Sequence, residues 1–140
     1  MNKYSKKYLD KISSSKVYDV VIKSPITKAE SVSSQFNNKI YLKREDLQPT
    51  RSFKIRGAYN KISNLVEKQK VKHVVTASAG NHAQGVAYSA KNLKIKSTIF
   101  MPKTTPSIKA DSVRNLGAKV ILIGDNFDAA LEDSLFFCKN

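Results

Sequence analysis

The second half of the chain repeats one theme, and that theme limits the folds open to it. Three β-prone apolar runs, His73-Val74-Val75-Thr76-Ala77, Ser97-Thr98-Ile99-Phe100-Met101 and Ala118-Lys119-Val120-Ile121-Leu122-Ile123, alternate with stretches of helical spacing. Between the first two runs, Ala83, Val86, Ala87, Ala90 and Leu93 share one helical face. Thr105-Pro106 predicts the start of the next helix, a cap residue followed by proline at the first helical position, and Gly117 marks its end. A last helix is expected from near Asn126, with Phe127, Ala130, Leu131 and Leu135 apolar. Strands alternating with helices imply βαβ units, right-handed crossovers and a parallel sheet. The second and third runs are almost continuously apolar, as strands covered on both faces are. The expected class is therefore α/β, an open parallel sheet with flanking helices. The chain stops on a helix at Lys139-Asn140, so the repeat lacks its next strand and the chain reads as truncated.

Upstream the pattern is less regular. Residues 1–36 are weakly helical, broken by Ser13-Ser14-Ser15 and by Pro25. Ile40-Tyr41-Leu42-Lys43 is a short β-prone run ending in Arg44-Glu45-Asp46, and a loop follows through Gln48-Pro49-Thr50-Arg51-Ser52. From Lys54 the apolar positions Ile55, Ala58, Tyr59, Ile62, Leu65 and Val66 trace an amphipathic helix.

Composition narrows the function classes. The 25 Lys and Arg residues against 11 Asp and Glu give a net charge of +14. A basic excess attracts phosphate polyanions, so a basic nucleic-acid-binding module is one reading. Most of the excess is lysine scattered through the chain, with arginine only at Arg44, Arg51, Arg56 and Arg114, and no nucleic-acid motif spacing occurs. Solvated lysines over a folded surface are the default, and no specific nucleic-acid partner is expected. No apolar run approaches the ~18 residues of a membrane span. The segment Met1-Asn2-Lys3-Tyr4-Ser5-Lys6-Lys7 lacks the apolar stretch of a secretory signal. A cytoplasmic protein with no membrane partner is expected. Cys138 alone, with two histidines, supplies neither a disulfide framework nor a zinc site of the usual spacing, so no metal is expected. There is no Walker or dinucleotide fingerprint. Glu45 and Asp46 are adjacent and would point to opposite faces of a strand, which does not suit a paired-carboxylate hydrolase.

Two segments carry chemistry. In Ser52-Phe53-Lys54-Ile55-Arg56-Gly57-Ala58 a lysine opens a helix directly after an aromatic residue. The helix dipole, Arg56 and partial burial beside Phe53 would each disfavour its protonation, and such amines form Schiff bases with carbonyl compounds. The alternative is a solvated helix-initial lysine. In Thr76-Ala77-Ser78-Ala79-Gly80-Asn81-His82-Ala83-Gln84-Gly85 a polar loop joins a strand's carboxyl end to a helix start, the usual ligand position in open α/β sheets. Free N–H groups there make an anion site, with Ser78, Asn81 and His82 as side-chain donors and Gly80 allowing close approach. The alternatives are that Ser78 or Asn81 merely caps the helix and that His82 is structural.

Taken together, Lys43-Arg44-Glu45-Asp46-Leu47-Gln48-Pro49 through Ser52-Phe53-Lys54-Ile55-Arg56-Gly57-Ala58-Tyr59, then Ser78 to Gly85, Met101-Pro102 and Gly124-Asp125-Asn126-Phe127-Asp128, resemble the threonine dehydratase family. These are pyridoxal-phosphate (PLP) enzymes of the tryptophan-synthase-β-like fold, and the Lys-Arg-Glu-Asp stretch is most similar to the biosynthetic form. The resemblance implies PLP as cofactor, with Lys54 holding it covalently and moving the substrate's α-proton. By the same likeness Phe53 packs beside the cofactor and Asn81 hydrogen-bonds its phenolic oxygen. Ser78, Ala79, Gly80, Asn81 and His82 match the loop that receives the substrate carboxylate. The implied reaction is β-elimination of L-threonine to 2-oxobutanoate and ammonia, the first step of isoleucine biosynthesis. Residues 1–60 would then belong to the large PLP domain and 61–140 to a small α/β domain, incomplete at its C-terminus. The family's later glycine-rich phosphate loop and regulatory domain have no counterpart here, so the chain is expected to be an N-terminal piece, inactive alone, of a protein that is a homo-oligomer at full length. An inactive remnant and a serine dehydratase or racemase-like enzyme are the alternatives within the resemblance.

Overall fold

The computed structural model describes residues 3–139. Helix α1 (Lys3–Ser13) and a 3-10 turn (Lys16–Asp19) lead to strand β1 (Ile26–Lys28), which pairs antiparallel with β2 (Tyr41–Lys43) around the short helix α2 (Glu30–Gln35). A second 3-10 turn (Glu45–Leu47) precedes α3 (Lys54–Gln69), and the remainder alternates as β3 (His73–Ala77), α4 (Asn81–Asn92), β4 (Lys96–Met101), α5 (Ser107–Arg114), β5 (Lys119–Leu122) and α6 (Phe127–Lys139). The three later strands form one parallel sheet in the order β3-β4-β5. The α/β expectation is met from His73 onward.

The alternation of side chains along β4 explains the layers. Ile99 and Met101 are fully buried and point into a core shared with Val86 and Ala87 of α4, Ala110 and Val113 of α5, and Ala58 and Ile62 of α3. Each such large apolar side chain contributes roughly 1.5–3 kcal/mol by leaving water. Phe100 points the other way and meets Phe137 of α6 with ring centroids 5.5 Å apart. So α4 and α5 cover one face of the sheet, α6 covers the other over β3 and β4, and α3 lies outside α4. The division between residues 60 and 61 falls inside α3, a continuous helix of 16 residues. Among the described residues no helix is long and apolar enough to cross a membrane.

Two expectations need correction. The weakly helical first 36 residues contain a strand, β1, whose three residues are held by pairing with β2 and carry no local signal of their own. Pro106 does not open α5 from the first helical position. Its backbone is extended (φ −54°, ψ 137°), the helix starts at Ser107, and the Thr105 hydroxyl is buried without a partner instead of capping.

The turns that enter and leave β5 carry glycines in the left-handed region. Gly117 has φ +89° with open space around it, whereas Gly124 has φ +67° and a Cβ there would lie 2.5 Å from Ala129 Cβ. Gly117→Ala is expected to cost about 1–2 kcal/mol for the left-handed backbone alone. Gly124→Ala adds an overpacking cost of about 1–3 kcal/mol. Urea unfolding of the two variants checks the order; equal losses would contradict it.

Candidate active site

The starts of α3 and α4 meet beside the carboxyl end of β3. Between α3 and β3 lies a cleft of about 600 Å³, walled by Ala58, Ile62 and Leu65 of α3, Val74 and Thr76 of β3, and Val86 of α4. Phe53, Lys54 and His82 stand at one end of it and Lys61 lines it further along α3. Ser78, Ala79 and Gly80 form the loop after β3, and Asn81 is the first residue of α4; these four adjoin the cleft without lining it.

Lys54 occupies the first helical position of α3, its N–H bonded to Ser52 Oγ at 3.3 Å. Behind it, Gly85 lets α4 approach: a Cβ there would sit 3.3 Å from Lys54 O and 3.4 Å from Ile55 Cα. An added Cβ would require the first turn of α3 to give by a few tenths of an ångström. Among the described residues the Lys54 amine has no carboxylate and no hydrogen-bond partner.

Partial burial beside Phe53 is not what the fold provides. Lys54 is exposed and Phe53 is 61% exposed, because the cleft is open on that side. Arg56 is not turned toward Lys54 either: its Nε and Nη2 each donate to the Glu45 carboxylate at 2.8 Å.

The start of α4 resolves the question of capping. Its N-cap position is Gly80, which is extended and has no side chain to offer. Ser78 Oγ accepts only a long bond (3.5 Å) from the Gly80 N–H. The first intrahelical bond runs from Gln84 N–H to Gly80 O, which leaves the N–H groups of Asn81, His82 and Ala83 directed out of the helix end. That end attracts anions. Loss of water around its ring and, second, the Lys54 charge lower the pKa of His82 below the ordinary 6.5. An unpaired primary amine, an aromatic neighbour and an anion-receiving helix end on one cleft fit a cofactor with an aldehyde and anionic groups.

Sequence reasoning missed what holds the lysine's segment. Glu45 lies in a 3-10 turn, not a strand, and accepts from Arg56, from Ser24 Oγ at 2.5 Å and, at longer range, from Gln48. Arg56, Ser24 and Gln48 hold its carboxyl well below the usual range, at about 2, against the cost of partial desolvation. The only signal available was a Glu and an Arg flanking a turn within one motif.

A sequence profile of the family described as pyridoxal-phosphate dependent enzyme matches residues 17–135. The chain belongs to that family. It is 53% identical over 123 residues to the biosynthetic L-threonine dehydratase IlvA of Pasteurella multocida, covering 88% of this chain and 24% of that protein. It is 54% identical, also over 123 residues, to threonine dehydratase 1 biosynthetic, chloroplastic, of Solanum lycopersicum, covering 88% of this chain and 20% of that protein. The processed form of threonine deaminase isoform 2 from Solanum lycopersicum superposes with a TM-score of 0.89 at 47% identity, over 99% of this chain and 39% of that one. Maize serine racemase gives a TM-score of 0.82 at 32% identity, over 88% of this chain and 37% of that one. The chain thus spans between a fifth and a quarter of the curated relatives it matches.

Two titrations test this electrostatic picture. Glu45 has a folded pKa below its unfolded value, so its contribution to stability is present above about 4.5 and is lost as pH falls toward about 2. Glu45→Gln is expected to be less stable at neutral pH and to lose less between pH 5 and 2; parallel melting curves across that window would contradict the assignment. For His82, an NMR titration should give a midpoint below 6.5, and Lys54→Met should move it upward.

Proposed function

We propose that this chain carries the lysine-bearing part of a PLP-dependent lyase site that converts L-threonine to 2-oxobutanoate and ammonia, the first step of isoleucine biosynthesis. The observation that carries this is the Lys54 amine, unpaired, at the end of a cleft beside the open helix start of α4. The choice of threonine is supported by the names of relatives about half identical to the chain, against lower identity to serine racemases. Turnover is assigned to the whole catalytic domain of which this segment is a part. A cytoplasmic location belongs to the proposal, supported by a single, exposed Cys138; the tomato and yeast relatives are chloroplastic and mitochondrial by name.

Lys54 Nζ would hold the cofactor covalently, with Phe53 packed beside it and Asn81 bonded to its phenolic oxygen. When bound, PLP supplies an electron sink for the charge left on the substrate's α-carbon. The N–H groups at the start of α4 and the Ser78 hydroxyl receive the substrate carboxylate, which fixes the orientation of the α-carbon. Lys54 Nζ, held beside the α-carbon, would serve as the base for the α-proton, with proximity in place of a high concentration of base. The β-hydroxyl departs as water, one water is consumed when the nitrogen is released as ammonia, and threonine is thereby divided into 2-oxobutanoate and ammonia with atoms balanced.

Incubation with PLP followed by borohydride reduction and peptide mapping tests the lysine. The adduct is expected on Lys54, lost in Lys54→Ala and retained in Lys61→Ala. Joined to the remainder of the Pasteurella multocida relative, the chain should form 2-oxobutanoate from threonine. Lys54→Ala should lower that rate by about 10²–10⁴-fold, the usual contribution of a positioned acid–base group. Equal effects of the two lysine substitutions would contradict the assignment, and Asn81→Ala should weaken cofactor retention without a lower melting temperature.

A further inference from the structure

Resting on the assignment of Lys54 as the attachment point, we infer that Glu45 and Arg56 are positioning residues that close the segment carrying Lys54 into a ring and aim its amine along the cleft. The two ends of residues 45–56 are joined by a bidentate pair, Arg56 Nε and Nη2 each 2.8 Å from the Glu45 carboxylate, with side chains 26% and 17% exposed. Forked pairs of this kind fix direction as well as distance. Lys54 sits two residues before the closure, so whatever sets the closure sets its helical turn.

The ring is seated rather than free. Gln48, 2% exposed, accepts the Ile22 N–H through Oε1 (3.1 Å) and donates from Nε2 to Ile22 O (2.9 Å), as a neighbouring strand would. Arg56 Nη2 also donates to Ile22 O at 3.2 Å, and Ser24 Oγ donates to Glu45. The 22–24 segment is in turn bonded by Lys43 Nζ to Ser24 O. Within the ring, Arg51 adopts φ +52° and its N–H bonds to Gln48 O at 2.7 Å, which reverses the chain toward Phe53 and Lys54. On the far side α4 abuts the same turn at Gly85. The first turn of α3 is therefore held from two sides; of the ion pair, Arg56 lines the cleft and Glu45 does not, so Glu45 can be changed without altering the cleft wall.

The test uses PLP as probe on the 140-residue chain, with reduction by borohydride and peptide mass mapping. Its readout is the ratio of adduct on Lys54 to adduct on Lys61, which lines the same cleft, normalised to the ratio in urea-unfolded chain. That ratio is indifferent to overall stability while the chain is folded. Wild type should favour Lys54, and Glu45→Gln should lower the preference about tenfold or more, the scale of a small misplacement of a reacting group. Arg56→Lys, which keeps the charge and loses the fork, should fall between, and Glu30→Gln at the exposed Lys28–Glu30 pair should change nothing. An undiminished preference in folded Glu45→Gln or Arg56→Lys overturns the inference, as does loss of the folded state in both, because the pair would then be a general stabiliser. Absence of any preference in wild type overturns the assignment of Lys54 itself.

Discussion

The close approach of α3 and α4 is the constraint on which the rest of the molecule depends. It is favoured by a residue without a side chain at Gly85, where a Cβ would lie in tight contact 3.3 Å from Lys54 O. With the helices in contact, Ala58 and Ile62 reach the same core as Ile99 and Met101, and the start of α3 comes beside the end of β3. One packing contact thus links the sheet, which is common to many α/β proteins, to the amine, which is not. The Glu45–Arg56 pair complements it from the opposite side, where the chain enters the helix.

Chemically, the site combines two features that would each be unremarkable alone. A lysine at a helix start is ordinarily a solvated charge, and an uncapped helix end is ordinarily hydrated. Placed on one cleft they bring an unpaired amine and an open helix end beside the same space, which is what the proposed function draws on. Membership of the pyridoxal-phosphate dependent enzymes gives that pairing its chemical meaning. The apolar walls of Ile62, Val74 and Val86 then supply a surface from which water is partly withdrawn.

The second half of the fold was legible because the strands alternate with amphipathic helices and lie at a regular interval. β3 begins and ends where the apolar run His73 to Ala77 does, and α3 starts at Lys54 as the stripe from Ile55 demands. The first 36 residues were illegible in part because β1 is a three-residue strand stabilised only by its partner some fifteen positions away. At the site, the position of the loop from Ser78 to Asn81 could be read from the strand–loop–helix order. The cap could not: serine and asparagine are the commoner choices, and here the N-cap position falls on Gly80 between them. Exposure around Lys54 is not legible from a neighbouring aromatic residue, since an adjacent Phe says nothing about which way the pocket opens. The pairing of Glu45 with Arg56 needed the turn between them, which spacing alone does not specify.

Crystals of the chain grown with PLP and examined for continuous electron density from lysine side chains test the central claim most directly. The account predicts density joining Lys54 Nζ to the cofactor with the ring lying in the cleft between α3 and β3. Attachment at another lysine, or a cofactor bound away from that cleft, would contradict it.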